Sequence, residues 1–152
     1  MRPYKRIERC IALYIAPRYR RAVEIGVGAN FEVARALIAE GIEVTCMDIH
    51  PQTPPLPGIR FVRDDIFHPT ESLYRETDLI YSVRPGLEMI PPMVDLARRR
   101  DTDLLVYHLG NELCGRGGEV IECGVPLHRY HASQTKQSLK YNAGDPVQNR
   151  VD

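Results

Sequence analysis

Three residues in the first third of the chain have the types and the spacing to hold a nucleoside: Gly26, Gly28 and Asp48. The glycines stand in Glu24-Ile25-Gly26-Val27-Gly28, between a β-branched run and the start of a helical pattern. At a strand-to-helix turn, glycine lets the backbone turn tightly and lets a ligand approach without side-chain obstruction, while the amides of the helix N-terminus face the gap. Asp48 ends the next apolar run, at the interval of roughly 20 residues after the glycines where a carboxylate can accept hydrogen bonds from both hydroxyls of a ribose. Either feature alone has a plainer explanation, an ordinary βα turn and a solvated strand-end acid. Together they support a nucleotide pocket.

The elements that must position these residues follow from apolar spacing. Ile7, Cys10, Ile11, Tyr14 and Ile15 share one helical face, and Pro17 ends that helix. Residues 21–25 form a first strand, Phe31, Ala34, Leu37 and Ile38 line a helix closed by Gly41, and Val44 to Met47 form a second strand ending at Asp48. This is a βαβ unit, which implies parallel strands. Pro51, Pro54, Pro55 and Pro57 exclude regular structure over 51–58. Residues 59–62 read as a third strand leading to Asp64-Asp65, 69–76 as a short helix with Leu73 and Tyr74 inward, and 78–83 as a fourth strand. A proline-started, arginine-ended helix over 92–100 and a fifth strand over 104–107 complete the strong pattern. Beyond Gly110 only short strands over 119–121 and 127–130 are suggested.

With 152 residues and 43% hydrophobic content, the chain suits one domain, expected over residues 1–131. The polar stretch 132–152 lacks apolar periodicity and is expected to be loosely held or disordered. Lys and Arg total 20 and Asp and Glu total 20, so no overall field draws the protein to nucleic acid or to an anionic membrane. The arginine clusters at 18–21 and 98–100 read as solvated helix ends, and the apolar run 10–16 is too short to span a bilayer. Cys10, Cys46, Cys114 and Cys123 are dispersed, which suits a reducing cytoplasm.

The segment Glu24-Ile25-Gly26-Val27-Gly28-Ala29-Asn30, with its acid two residues before the first glycine, resembles the class I S-adenosylmethionine-dependent methyltransferases. A dinucleotide loop of the form G-x-G-x-x-G/A would need Gly or Ala at position 31, where Phe31 stands. Its bulk hinders the close helix-to-strand approach used for a pyrophosphate and points to a smaller nucleoside. The resemblance spans residues 21 to about 109 and implies an α/β, Rossmann-like, mostly parallel sheet with helices on both faces and a shortened C-terminal part. It implies S-adenosylmethionine as cofactor, with Glu24 and the glycine loop holding the amino-acid portion and Asp48 with Ile49 the ribose. Asp65 or Asp64 would meet the adenine amine and the Ile66 N–H a ring nitrogen, although Asp64-Asp65 is equally suited to cap a turn. The whole chain, with Tyr81-Ser82-Val83-Arg84-Pro85, also resembles a small uncharacterised archaeal family of this fold.

The end of the fourth strand is where the resemblance puts the methyl acceptor. Ser82 and Arg84 are the catalytic candidates there, able to bind a polar or anionic acceptor, but no general base is marked and the acceptor stays unnamed. Methyl transfer needs chiefly proximity and in-line orientation, so a missing base does not exclude it. His108, Cys114, Cys123, His128 and His131 are suitable zinc ligands at intervals that match no zinc template, and no metal is expected. Three functions stay open: an S-adenosylmethionine-binding methyltransferase, a non-catalytic nucleotide-sensing or protein-interaction module, and, more weakly, a NAD-binding oxidoreductase.

Overall fold

A computed structural model describes residues 3–135 of the chain. The helix α1 covers Pro3–Ile15, α2 Glu32–Ala39 and α3 Ile90–Arg100. Seven strands, β1 Arg21–Ile25, β2 Glu43–Asp48, β3 Arg60–Arg63, β4 Leu79–Val83, β5 Asp103–Tyr107, β6 Glu119–Glu122 and β7 Pro126–His131, form one sheet in the order β3-β2-β1-β4-β5-β7-β6. The first five in that order run parallel, and β6 and β7 return antiparallel as a hairpin. The Rossmann-like, mostly parallel α/β fold implied by the resemblance is therefore present.

Strand alternation sorts the buried side chains onto two faces. Ala22, Val44, Cys46, Leu79, Tyr81 and Leu105 pack with Ile11 and Ile15 of α1 and Val33 and Leu37 of α2. Their neighbours Val23, Ile25, Met47, Ile80, Leu104 and Val106 pack with Ile90, Met93, Leu96 and Ala97 of α3. Both faces are covered, which is why the central strands read as near-continuous apolar runs.

Three local expectations shift. The short helix over 69–76 is a 3₁₀ turn, Glu71–Tyr74, whose only fully buried residue is Tyr74. Leu73 and Tyr74 do face the core, as expected, but two adjacent inward side chains over one turn do not supply the packing that stabilises longer helices. The helix expected from 92 begins at Ile90, because Pro91 and Pro92 both fit a first turn whose N–H groups need no partner. Asp78 stands just before β4, where its carboxylate accepts the backbone N–H groups of Arg20 and Arg21, each at 3.0 Å. Of the polar C-terminal stretch, residues 136–152 lie outside the described residues. Its first residues are fastened: the N–H of Ser133 donates to Asp103 at 2.6 Å, and those of Gln134 and Thr135 donate to Asp101.

Candidate functional site

The sheet order reverses direction between β1 and β4, which carry the chain outward on opposite sides, so their carboxyl ends flank the topological switch point. In open α/β sheets that crevice is the place where ligands bind. The glycine loop rises from β1 on one side of it, and Ser82 to Pro85 leave β4 on the other.

The loop is held by backbone and by one acid. Gly26 (φ +70°) and Val27 donate their N–H groups to the Met47 carbonyl at 2.9 and 3.1 Å. Gly28 (φ +56°) donates to Asp48 Oδ2 at 2.8 Å. The other oxygen of Asp48 accepts the His50 N–H at 3.0 Å. A Cβ at Gly28 would meet nothing within 4 Å, so the surface there is open, whereas at Gly26 it would come 3.1 Å from Met89 Cε. Glycine is required at Gly28 by backbone handedness and at Gly26 also by closeness to Met89. Phe31 is buried in the core at the start of α2, where Asn30 Oδ1 accepts the Glu32 N–H at 3.1 Å.

Glu24 points to the α1 and α2 side between Cys46 and Tyr81, its register partners on β2 and β4. It is 2% exposed and accepts the Tyr81 hydroxyl at 2.7 Å. Burial pushes its carboxyl up to about 8, against the Tyr81 hydrogen bond and with added repulsion from Glu8. Glu8, on α1 and also buried, accepts Asn30 Nδ2 at 2.7 Å and Arg84 Nη1 at 2.8 Å, both on Oε2. Its Oε1 has no partner among the described residues. Arg84 has a left-handed backbone (φ +55°), donates its N–H to the Tyr107 carbonyl at 2.6 Å, and sets its guanidinium 5.3 Å from the Tyr107 ring centroid.

Asp64 and Asp65 serve turns: Asp64 accepts the N–H and hydroxyl of Thr70, and Asp65 Oδ1 accepts the Phe67 N–H at 2.9 Å. Ile66 is buried among the α3-side residues. Ile49 and Phe67, each just past the carboxyl end of β2 or β3, are half exposed, at 50% and 52%. Ser82 is buried, and its hydroxyl donates to the Ile25 carbonyl at 2.7 Å, so this candidate joins β4 to β1. Arg84, the other candidate, is held against Glu8.

Glu8, Tyr81, Tyr107 and Phe67 escaped the sequence reading as site residues. Glu8 did leave a signal, because with Ile11, Ala12 and Ile15 it lies on the buried stripe of α1 at offsets 0, 3, 4 and 7. An acid on such a stripe calls for partners. The histidines and cysteines of the last third have separate duties. His108 Nε2 lies 2.7 Å from the Tyr130 hydroxyl, which accepts the Cys114 N–H, and His128 Nδ1 donates to the Gly117 carbonyl. Burial and then His128 hold the His108 imidazole below its ordinary pKa. Among the described residues no three of His, Cys, Asp and Glu gather to hold a metal.

A concavity of about 600 Å³ lies at the opposite, amino-terminal end of the strands, lined by Arg21, Glu43, Arg60, Arg75 and Glu76. Its Arg21 is already paired with Glu43 and Glu76. It collects no residue of the glycine loop. Among the described residues no helix is long and apolar enough to cross a membrane.

The architecture recurs in solved methyltransferases. An Escherichia coli protein assigned as a methyltransferase superposes with a TM-score of 0.57 at 11% identity, covering 88% of this chain and 89% of that one. Human N-acetylserotonin methyltransferase, solved in complex with S-adenosylmethionine, gives 0.50 at 17% identity over 65% of this chain and 32% of that one. At these identities the likeness is one of fold. In sequence, a UPF0146 protein of Pyrococcus horikoshii is 37% identical over 126 residues, 79% of this chain and 96% of the relative. With residues 7–130 matching the family's model, the chain belongs to the Uncharacterised protein family UPF0146.

Proposed function

We propose that the chain binds S-adenosylmethionine at the switch point between β1 and β4 and acts in the cytoplasm as a methyltransferase. The observation that carries this reading is the closure of the glycine loop onto the strand-end acid, Gly28 N–H to Asp48 Oδ2 at 2.8 Å. It pins the loop open-faced and leaves the carboxylate at the lip of the crevice, with lone pairs for ribose hydroxyls. Ile49 and Phe67 are exposed apolar side chains beyond the next two strand ends, and we assign them to the two faces of an adenine. Asp65, whose Oδ1 accepts the Phe67 N–H and whose Oδ2 faces His68 Nδ1 at 3.6 Å, is assigned to the adenine amine through Oδ2. Four free thiols, Cys10, Cys46, Cys114 and Cys123, suit a reducing compartment.

The bound cofactor would supply an activated methyl group on sulfur, and the chain's part is to orient it and exclude water. The acceptor is unidentified, and neither Ser82 nor Arg84 offers an uncommitted basic atom, since one donates to Ile25 and the other is paired with Glu8. That observation favours a second reading, a nucleoside sensor on the same fold. Calorimetric titration with S-adenosylmethionine, S-adenosylhomocysteine and NAD, beside Asp48→Ala, tests the pocket. Binding of the two methionine nucleosides that the variant loses is the expected result, and silence with all three ligands would sink it. Methylated products in a cell extract then separate enzyme from sensor.

A further inference from the structure

The proposed pocket leaves one group unexplained, the buried carboxylate of Glu8. It comes from α1, outside the stretch that carries the methyltransferase resemblance, yet it bridges the two walls of the crevice. Asn30 reaches it from the glycine loop and Arg84 from the end of β4. Both donors use Oε2, and Oε1 is buried without a partner among the described residues. A buried carboxylate oxygen left without a donor is costly, so Oε1 is suited to receive one. Arg84 is the complementary case. Its side chain is 25% exposed where Glu8 is 2%, so the pair runs from the surface inward. One guanidinium nitrogen is given to Glu8 and the left-handed backbone is held by the Tyr107 carbonyl, an arrangement kept despite its strain. A guanidinium so fixed presents its remaining N–H groups in a fork that matches a carboxylate.

We propose that Arg84 and Glu8 form the subsite for the zwitterionic α-amino-acid end of the nucleoside, Arg84 for its carboxylate and Glu8 Oε1 for its ammonium. This inference rests on the nucleoside reading above and reassigns Arg84 from the methyl acceptor to the cofactor.

The test compares two ligands that share the adenosine thioether and differ at that end, S-adenosylhomocysteine and 5′-methylthioadenosine, by calorimetry on the full chain. The wild-type protein should bind the former roughly 100-fold more tightly, as two charge-assisted contacts allow. Arg84→Gln and Glu8→Gln should each weaken S-adenosylhomocysteine by roughly tenfold or more and leave 5′-methylthioadenosine within about twofold. The retained ligand reports that each variant is folded, and the wild-type comparison needs no variant at all. Equal affinity of the wild type for both ligands overturns the subsite while the pocket stands. Equal weakening of both ligands in the variants overturns it too, since Glu8 and Arg84 would then only brace the crevice. If neither ligand binds, the pocket reading fails and the subsite with it.

Discussion

Replacing Glu24 by Gln should change how stability depends on pH, and the size of the change follows from where the carboxyl sits. Glu24 is enclosed, with its carboxyl raised from the ordinary 4.5 to about 8, chiefly by burial. Between those values the folded chain keeps a proton that the unfolded chain has released. Stability is therefore lost as pH rises from the ordinary value to the folded one, and the loss is complete above it. At about 1.4 kcal/mol per unit, this single carboxyl removes about 4 kcal/mol of stability between about pH 5 and about pH 9. Gln keeps an oxygen for the Tyr81 hydroxyl and removes the titration. Urea unfolding of both proteins across that range gives a difference in which the other titrating groups cancel. The advantage of the variant should climb by about 4 kcal/mol toward high pH. Parallel profiles would mean that Glu24 ionises as an exposed acid does, and would refute the burial argument.

Three further outcomes are expected. Gly28→Ala should lose roughly 1–2 kcal/mol from backbone handedness alone, since its Cβ meets nothing, and Gly26→Ala should lose at least as much because Met89 must also move; denaturant unfolding compares them. Ser82→Ala should cost about 1 kcal/mol, the hydrogen bond to Ile25, and leave nucleoside affinity unchanged in calorimetry. Loss of binding at unchanged stability would show instead that the hydroxyl faces the ligand. Asp101, whose carboxyl is held down at about 2 by hydrogen bonds from Thr135 and Gln134, stabilises above its ordinary pKa of 3.8 and loses that contribution as pH falls toward 2. Asp101→Asn should therefore flatten the acid limb of the thermal-unfolding profile.

Most of the framework was legible in the chain because it is written in local terms. The runs ending at Ile25, Asp48 and Val83 carry apolar residues on both faces, as parallel strands covered by helices do, and their order with the intervening helical stripes leaves few topologies. The glycine loop was legible because its residues are close in sequence and glycine marks a turn that other residues resist. Asp48 was legible because the interval to Gly28 is one βαβ unit long.

What the tertiary structure alone decided is which polar groups are already spoken for. Ser82 and Arg84 have the residue types of an acceptor site, yet one reaches 57 residues back to Ile25 and the other 76 residues back to Glu8. Neither partnership leaves a trace in local spacing, because hydrogen bonds across the sheet are set by strand order and register. Glu24 likewise reads as a loop acid and becomes a buried, proton-holding carboxyl only when Tyr81 and Glu8 close over it. Periodicity along the chain thus determined the scaffold and the glycine loop with its acid. The packing of α1 against the switch point, a contact between segments remote in sequence, decided the charge and the hydrogen-bonding capacity of the crevice.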